Sequence, residues 1–205
     1  MTPFSEKQMQ VLCWWGEKSP HRDKLAVICD GAVRSGKTTC MGISFFLWAM
    51  ARFQNTSFAV CGKTIRSVRR NVVAELIPKL KSMGFSMRVR QAENEIILSY
   101  QGRENRFYLF GGRDESSAAL IQGMTLGGVL FDEVRGLAGH FLPDAFQLFV
   151  KKGLRHLPGV LHRLLVKQEH GTEFGLLIVY AGFGKGDALV EAGKDLLILL
   201  GFGGF

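Results

Sequence analysis

Residues 25–39 read LAVICDGAVRSGKTT, and this stretch decides the fold. Its opening, LAVICD, is a short apolar run of the kind that forms a strand buried on both faces. Gly31-Ala32-Val33-Arg34-Ser35-Gly36-Lys37-Thr38 then matches G-x-x-x-x-G-K-[ST], and residues 36–53 read as a helix with a largely apolar face. A strand, a glycine loop and a helix in that order are the context the motif requires. The glycines Gly31 and Gly36 let backbone N–H groups, that of Ser35 included, close around phosphates. Lys37 reaches the β and γ oxygens, and Thr38 offers a hydroxyl to Mg²⁺. The expectation is a site for ATP with magnesium.

Outward from the loop the strand–helix alternation repeats, as a parallel sheet requires. Residues 57–61, SFAVC, form a second buried run. Residues 65–83 form a second helix, basic at Arg66, Arg69 and Arg70 and closed by Gly84. Residues 86–111 alternate apolar and polar around polar turns at 92–94 and 102–105, which reads as a small β meander. Residues 127–131, GGVLF, are another buried strand, and they end in Asp132 and Glu133. An apolar strand that delivers Asp132 to a metal, followed by Glu133 to polarise a water, is the Walker B arrangement. Adjacent residues point to opposite sides of a strand, so one carboxylate serves metal and the other water. Two solvated acids at a strand end are the plainer reading, and the upstream loop weighs against it. The expected architecture is α/β: a parallel sheet flanked by helices, of the P-loop NTPase (RecA/ASCE-like) type, with the meander inserted before the Walker B strand.

With 47% hydrophobic, 21% charged and 11% aromatic residues, the chain of 205 residues can bury enough apolar surface to offset its conformational entropy, which excludes wholesale disorder. Its 26 Lys+Arg against 18 Asp+Glu leave +8, a balance that suits a polyanionic partner. Cys13, Cys29, Cys40 and Cys61 sit singly, without the C-x-x-C pairs of a zinc knuckle or a disulfide framework, which fits a reducing compartment. The start, MTPFSEKQMQ, lacks the layout of a signal peptide, and the longest apolar run, residues 41–50, is too short to span a bilayer. A soluble protein with no membrane partner is expected.

Four segments, FSEKQ, GAVRSGKTT, FAVCGKTIRSVRRNV and FGGRDESSAALIQGMTLGGVLFDEV, together resemble the large subunit of the viral terminase, the ATP-driven motor that packages phage DNA into a preformed capsid. The resemblance spans residues 4–134, and the order G-G-R-D, I-Q-G, then the aspartate–glutamate strand is its most specific part. It implies that Gln8, otherwise a surface glutamine, contacts adenine, that Arg34 is a phosphate-loop arginine, and that Asp132 and Glu133 are the Walker B pair. Arg113 is either an arginine finger on a neighbouring subunit's γ phosphate or a loop arginine paired with Asp114. Arg66, Arg69 or Arg70 could serve as the finger or as a DNA contact. The implied partners are double-stranded DNA, the portal protein, the small terminase subunit and further copies of the chain in a ring, all in the host cytoplasm.

Past Arg135 the composition changes. Residues 136–205 hold 13 of the 25 glycines and four of the five histidines, and their 7 basic and 6 acidic residues leave +1, against +7 before them. Residues 1–135 are therefore read as the ATPase core and residues 136–205 as an atypical tail. Asp144, Glu169, Glu173, Asp187, Glu191 and Asp195 show no spacing suited to a two-metal nuclease. The spacing of His140, His156, His162 and His170 puts no two on adjacent turns of one helix, so no metal site is read there. Residues 176–180 and 196–200 could be strands that complete the sheet. The abrupt change suggests instead a foreign tail, joined by a frame change or recombination, that packs loosely beside a truncated motor. Two other functional classes stay open: a different P-loop ATPase acting on nucleic acid, and an inactive prophage remnant.

Overall fold

In the computed structural model, the described residues are 4–22, 24, 26–32, 35–112, 121, 124–132, 172–179 and 198–202. The first helix, α1 (Glu6–Cys13), starts at a capping box: Ser5 Oγ accepts the Gln8 N–H, and Gln8 Oε1 accepts the Ser5 N–H at 2.8 Å. Strand β1 (Ala26–Ala32) leads through the glycine loop into α2 (Lys37–Arg52). Strand β2 (Ser57–Gly62) follows. The second helix expected from sequence is divided into α3 (Ile65–Val68), a π-helical turn (Arg69–Val73) and α4 (Ala74–Ser82). The meander is β3 (Ser86–Arg90), β4 (Glu95–Tyr100) and β5 (Arg103–Gly111), and β6 (Leu126–Phe131) ends beside Asp132. Two strands come from beyond residue 136, β7 (Thr172–Val179) and β8 (Ile198–Phe202).

These strands form one sheet in the order β3-β4-β5-β2-β6-β7-β1-β8. Strand β2 pairs parallel with β5 and β6, and β1 pairs parallel with β8. Strand β7 lies between β6 and β1, antiparallel to both, so β5, β2, β6, β1 and β8 all run one way around it. The fold class is the expected one, α/β with a mostly parallel sheet and an inserted meander, and β7 is the strand that runs against its neighbours. One expectation is corrected here: the segment expected to pack loosely supplies a central strand. The physical reason is the slot itself. Strands β6 and β1 do not pair with each other, so each would present a row of unpaired backbone N–H and C=O groups. The run TEFGLLIV fills that slot and pairs antiparallel with both neighbours. Its amino end lies at the loop edge of the sheet, with Thr172 opposite Ala32 and Glu173 opposite Gly31.

Helix α2 packs over β2 and β5 through an aromatic cluster. Phe58 and Phe107 stack with ring centroids 5.1 Å apart, Phe45 meets both edge-on at 5.7 and 5.9 Å, and Phe46 lies 4.4 Å from Phe107. Gly42 lets Leu76 of α4 come into contact with the backbone of α2, in space that a Cβ would occupy. Asn105, expected in a turn, is instead fully buried inside β5. Its Nδ2 donates to the carbonyls of Ala49 (3.2 Å) and Phe53 (3.0 Å), and its Oδ1 accepts the Thr56 N–H at 2.9 Å. It thus ties β5 to the backbone where α2 ends.

Candidate functional site

The loop between β1 and α2 sets the geometry. Gly36 is the N-cap of α2 with φ 81°, in the left-handed region where a side chain is strained, and a Cβ there would lie 3.0 Å from Gln8 Nε2. Lys37 opens the helix. Its side chain is buried at 7% exposure, and its Nζ donates to Ser35 Oγ at 3.2 Å. Thr38 Oγ1 donates to Asp132 Oδ1 at 2.8 Å, a bond that joins residues 94 apart in sequence. Asp132 is itself buried, and its backbone N–H donates to Cys61 O at 2.7 Å, so β2 fixes the turn that presents it. The threonine hydroxyl and the aspartate carboxylate are hard oxygen donors held together at the amino end of a helix, which is the donor chemistry Mg²⁺ takes.

Gln8 reaches the same loop from α1, where its Nε2 donates to Ser35 O at 3.1 Å. On the far side, an open cleft of about 540 Å³ has Ser35, Gly36, Lys37, Thr38 and Thr39 on one wall and Arg70, Asn71 and Glu75 on the other. Thr39 Oγ1 donates to Glu75 Oε2 at 3.3 Å, and Lys79 Nζ lies 3.4 Å from the same oxygen. Arg70 Nε donates to Asn71 Oδ1 at 3.0 Å. Arg69, its neighbour, is turned away: its Nη2 donates to Gln91 O at 2.6 Å and to Asn94 Oδ1 at 2.7 Å in the β3–β4 turn.

Three thiols border this region and are chemically quiet. Burial pushes Cys29 and Cys61 far above the ordinary thiol range and Cys40 up to about 11, so all three are protonated at neutral pH.

Of the residues singled out from sequence, the structure brings together Gln8, Ser35, Gly36, Lys37, Thr38 and Asp132. Gly31 is placed through its backbone, at the end of β1. Arg34, Arg113 and Glu133 lie outside the described residues, as do the four tail histidines. Thr39, Asn71 and Glu75 were not foreseen. A second threonine after the lysine and a polar helix following β2 were their only signals, and both read as ordinary solvated surface. Among the described residues no group of three or more His, Cys, Asp or Glu could hold a metal ion, and no helix is long and apolar enough to cross a membrane.

Residues 28–138 match the family described as "Terminase large subunit, T4likevirus-type, N-terminal". No curated protein matches the chain. Among solved structures, the large terminase of the thermophilic bacteriophage D6E is similar in crystal form 2, with 46% identity and a TM-score of 0.68 over 71% of this chain and 36% of that one. The same terminase in complex with ADP aligns at 45% identity and a TM-score of 0.66, over the same shares of the two chains. In complex with ATP-gamma-S it aligns at 43% and 0.65, over 71% of this chain and 35% of that one. The ATPase domain of the Thermus phage P74-26 large terminase aligns over 73% of this chain and 62% of that one, with a TM-score of 0.53. At 12% identity, that likeness shows the fold alone. The chain thus spans about a third of the length of the D6E terminase structures that it matches.

Proposed function

The chain belongs to the terminase large-subunit family, and from that premise we propose that it is a magnesium-dependent ATPase whose turnover drives double-stranded DNA into a capsid. The hydrogen bond from Thr38 to Asp132 carries the reading, because only a folded nucleotide site has reason to join a loop threonine to a carboxylate beyond a strand 94 residues on. Relatives that hold ADP and ATP-gamma-S support the nucleotide.

In this reading the loop amides and Gly36 enclose the phosphates, and Lys37 leaves Ser35 to meet the β and γ oxygens. Thr38 and Asp132 would hold Mg²⁺, which would supply charge neutralisation for the phosphates when bound. Glu133, next along from Asp132, takes the proton of the attacking water. Gln8 orients the loop and contacts adenine, with Arg34 on the phosphates. Arg113 is the candidate for a finger across a ring of copies. Double-stranded DNA, the portal protein and the small subunit complete the partners, in the host cytoplasm. Two variants test the site. Lys37→Ala is expected to lose ATP binding and turnover together, whereas Glu133→Gln keeps binding and loses turnover by about a hundredfold or more. Unchanged binding and turnover in Lys37→Ala would remove the reading.

Residues 136–205 are read as differing in origin from the ATPase core, although their β7 and β8 pair within its sheet. The family match stops at residue 138, next to the change in composition, and that supports the division. The alternative to an active motor is an inactive remnant whose tail was joined by a frame change or recombination. Sequencing the DNA beyond the codon for Arg135 in all three frames tests it. A terminase-like continuation in another frame is expected, and its absence there would end the frame-change account.

A further inference from the structure

We infer that Arg70 reads the terminal phosphate of ATP in cis, within the chain that carries the loop. The inference rests on the nucleotide site proposed above and deepens it. Arg70 stands on the wall of the cleft facing Lys37 and Thr38, the two loop residues whose chemistry belongs to the β and γ phosphates. Gln8 does not line that cleft. An anion seated on Lys37 and Thr38 within the cleft shares it with Arg70.

Local structure aims the side chain. Arg69 is anchored to Gln91 O and Asn94 Oδ1, which pins the π-helical turn to the edge of the sheet. Such turns are rare, and they recur at functional sites because the inserted residue re-aims the side chains around it. Here the turn puts two adjacent arginines to different uses, Arg69 on the meander and Arg70 on the cleft. Asn71 Oδ1 holds the Nε of Arg70, which orients the guanidinium and leaves its forked terminal edge for a bidentate acceptor such as a phosphate. Glu75, an acid in the same cleft, is held by Thr39 and Lys79. A phosphate in this cleft meets Lys37 from the loop and Arg70 from the helix, two cations that offset the acid beside it. The γ phosphate is the group ADP lacks, so Arg70 should separate ATP from ADP.

The test measures the affinities of the full chain for ATP and ADP, with magnesium, by titration calorimetry at low protein concentration. Wild type and Arg70→Ala are compared, with Arg70→Lys as the conservative variant and thermal melting as the fold control. Arg70→Ala is expected to weaken ATP by about tenfold to a hundredfold while ADP stays within about twofold, and Arg70→Lys to recover part of the loss. Unchanged ATP affinity in a folded Arg70→Ala overturns the inference, and so does an equal loss for both nucleotides. Should Arg70→Ala melt early, Arg70→Gln, which keeps the length and a donor, is measured in its place against the same two outcomes. Failure of the wild-type chain to bind either nucleotide would instead remove the nucleotide site itself.

Discussion

The two halves of the candidate site stand on strands held in different ways. Strand β6, which presents Asp132, belongs to a wing of β3, β4, β5, β2 and β6 that comes entirely from residues 57–131. Strand β1, which leads into the loop, has β7 and β8 as its neighbours, and both come from beyond residue 170. The first wing can pair as soon as its own segment is made. The second closes only across a long stretch of chain, and the entropy of that closure opposes it. The Thr38–Asp132 hydrogen bond ties one wing to the other, so the site depends on the less locally built of the two.

Ending the chain after residue 171 is the strongest way to break this comparison. It removes β7 and β8 and so every strand that pairs with β1 among the described residues. Hydrogen exchange is expected to show the amides of β1 losing protection by about a hundredfold or more, while those of β2, still flanked by β5 and β6, keep theirs. Retained protection in β1 would mean that β6 closes on β1 directly and that β7 is a replaceable filler, as a foreign tail would be.

Asn105→Ala sharpens the comparison from the other side, because Asn105 acts wholly within the first wing. Its loss removes the side-chain partners of the Phe53 carbonyl and the Thr56 N–H, while the Ala49 carbonyl keeps the Phe53 N–H. The expected cost is about 2–3 kcal/mol in a denaturant titration, with nucleotide contacts of the loop left in place. A cost below about 0.5 kcal/mol, the range of ordinary surface changes, would mean that water or a shifted side chain replaces those bonds.

The same division explains what the sequence revealed and what it hid. The β1–loop–α2 unit, β2 and β6 were legible because each is a local pattern: an apolar run, a glycine loop, an amphipathic helix. Ser5 and Gln8, three residues apart, are a local capping signal that the sequence carries for α1. Asn105 misled because a polar residue between polar neighbours looks like a turn. Only the end of α2, brought alongside β5 by tertiary packing, makes an asparagine useful inside a strand. The direction of β7 was not legible at all. A run such as LLIV has no polar face to choose a side, and its partners are set by the gap between β6 and β1. Arg70 stood out in the sequence only as one of three helix arginines suited to a finger or a DNA contact, because nothing local says that it shares a cleft with the loop.

Thiol chemistry gives the smallest and most local measure of the two wings. Cys29 lies on β1 and Cys61 on β2, both fully buried, while Cys13 is exposed. Only the thiolate reacts, and burial holds both inner thiols protonated, so an alkylating reagent reaches them only when their strand opens. The expected order of modification at neutral pH is Cys13, then Cys29, then Cys61, because β1 depends on the distant strands. Equal rates for Cys29 and Cys61 would show that the sheet opens as one unit. The pH dependence follows from the same burial. Cys40, in α2 beneath both wings, has its pKa raised from 9.0 to about 11. A thiol that holds its proton more tightly when folded contributes stability that is complete below the unfolded value and is lost as pH rises through the folded one. Between about pH 9 and pH 11 the native protein binds more protons than the unfolded chain, so the melting temperature should fall across that window. Lysines and tyrosines titrate there as well, so the informative quantity is the difference from Cys40→Ala, whose melting temperature should fall less steeply. Parallel slopes for the two proteins would mean that Cys40 ionises as freely in the fold as out of it.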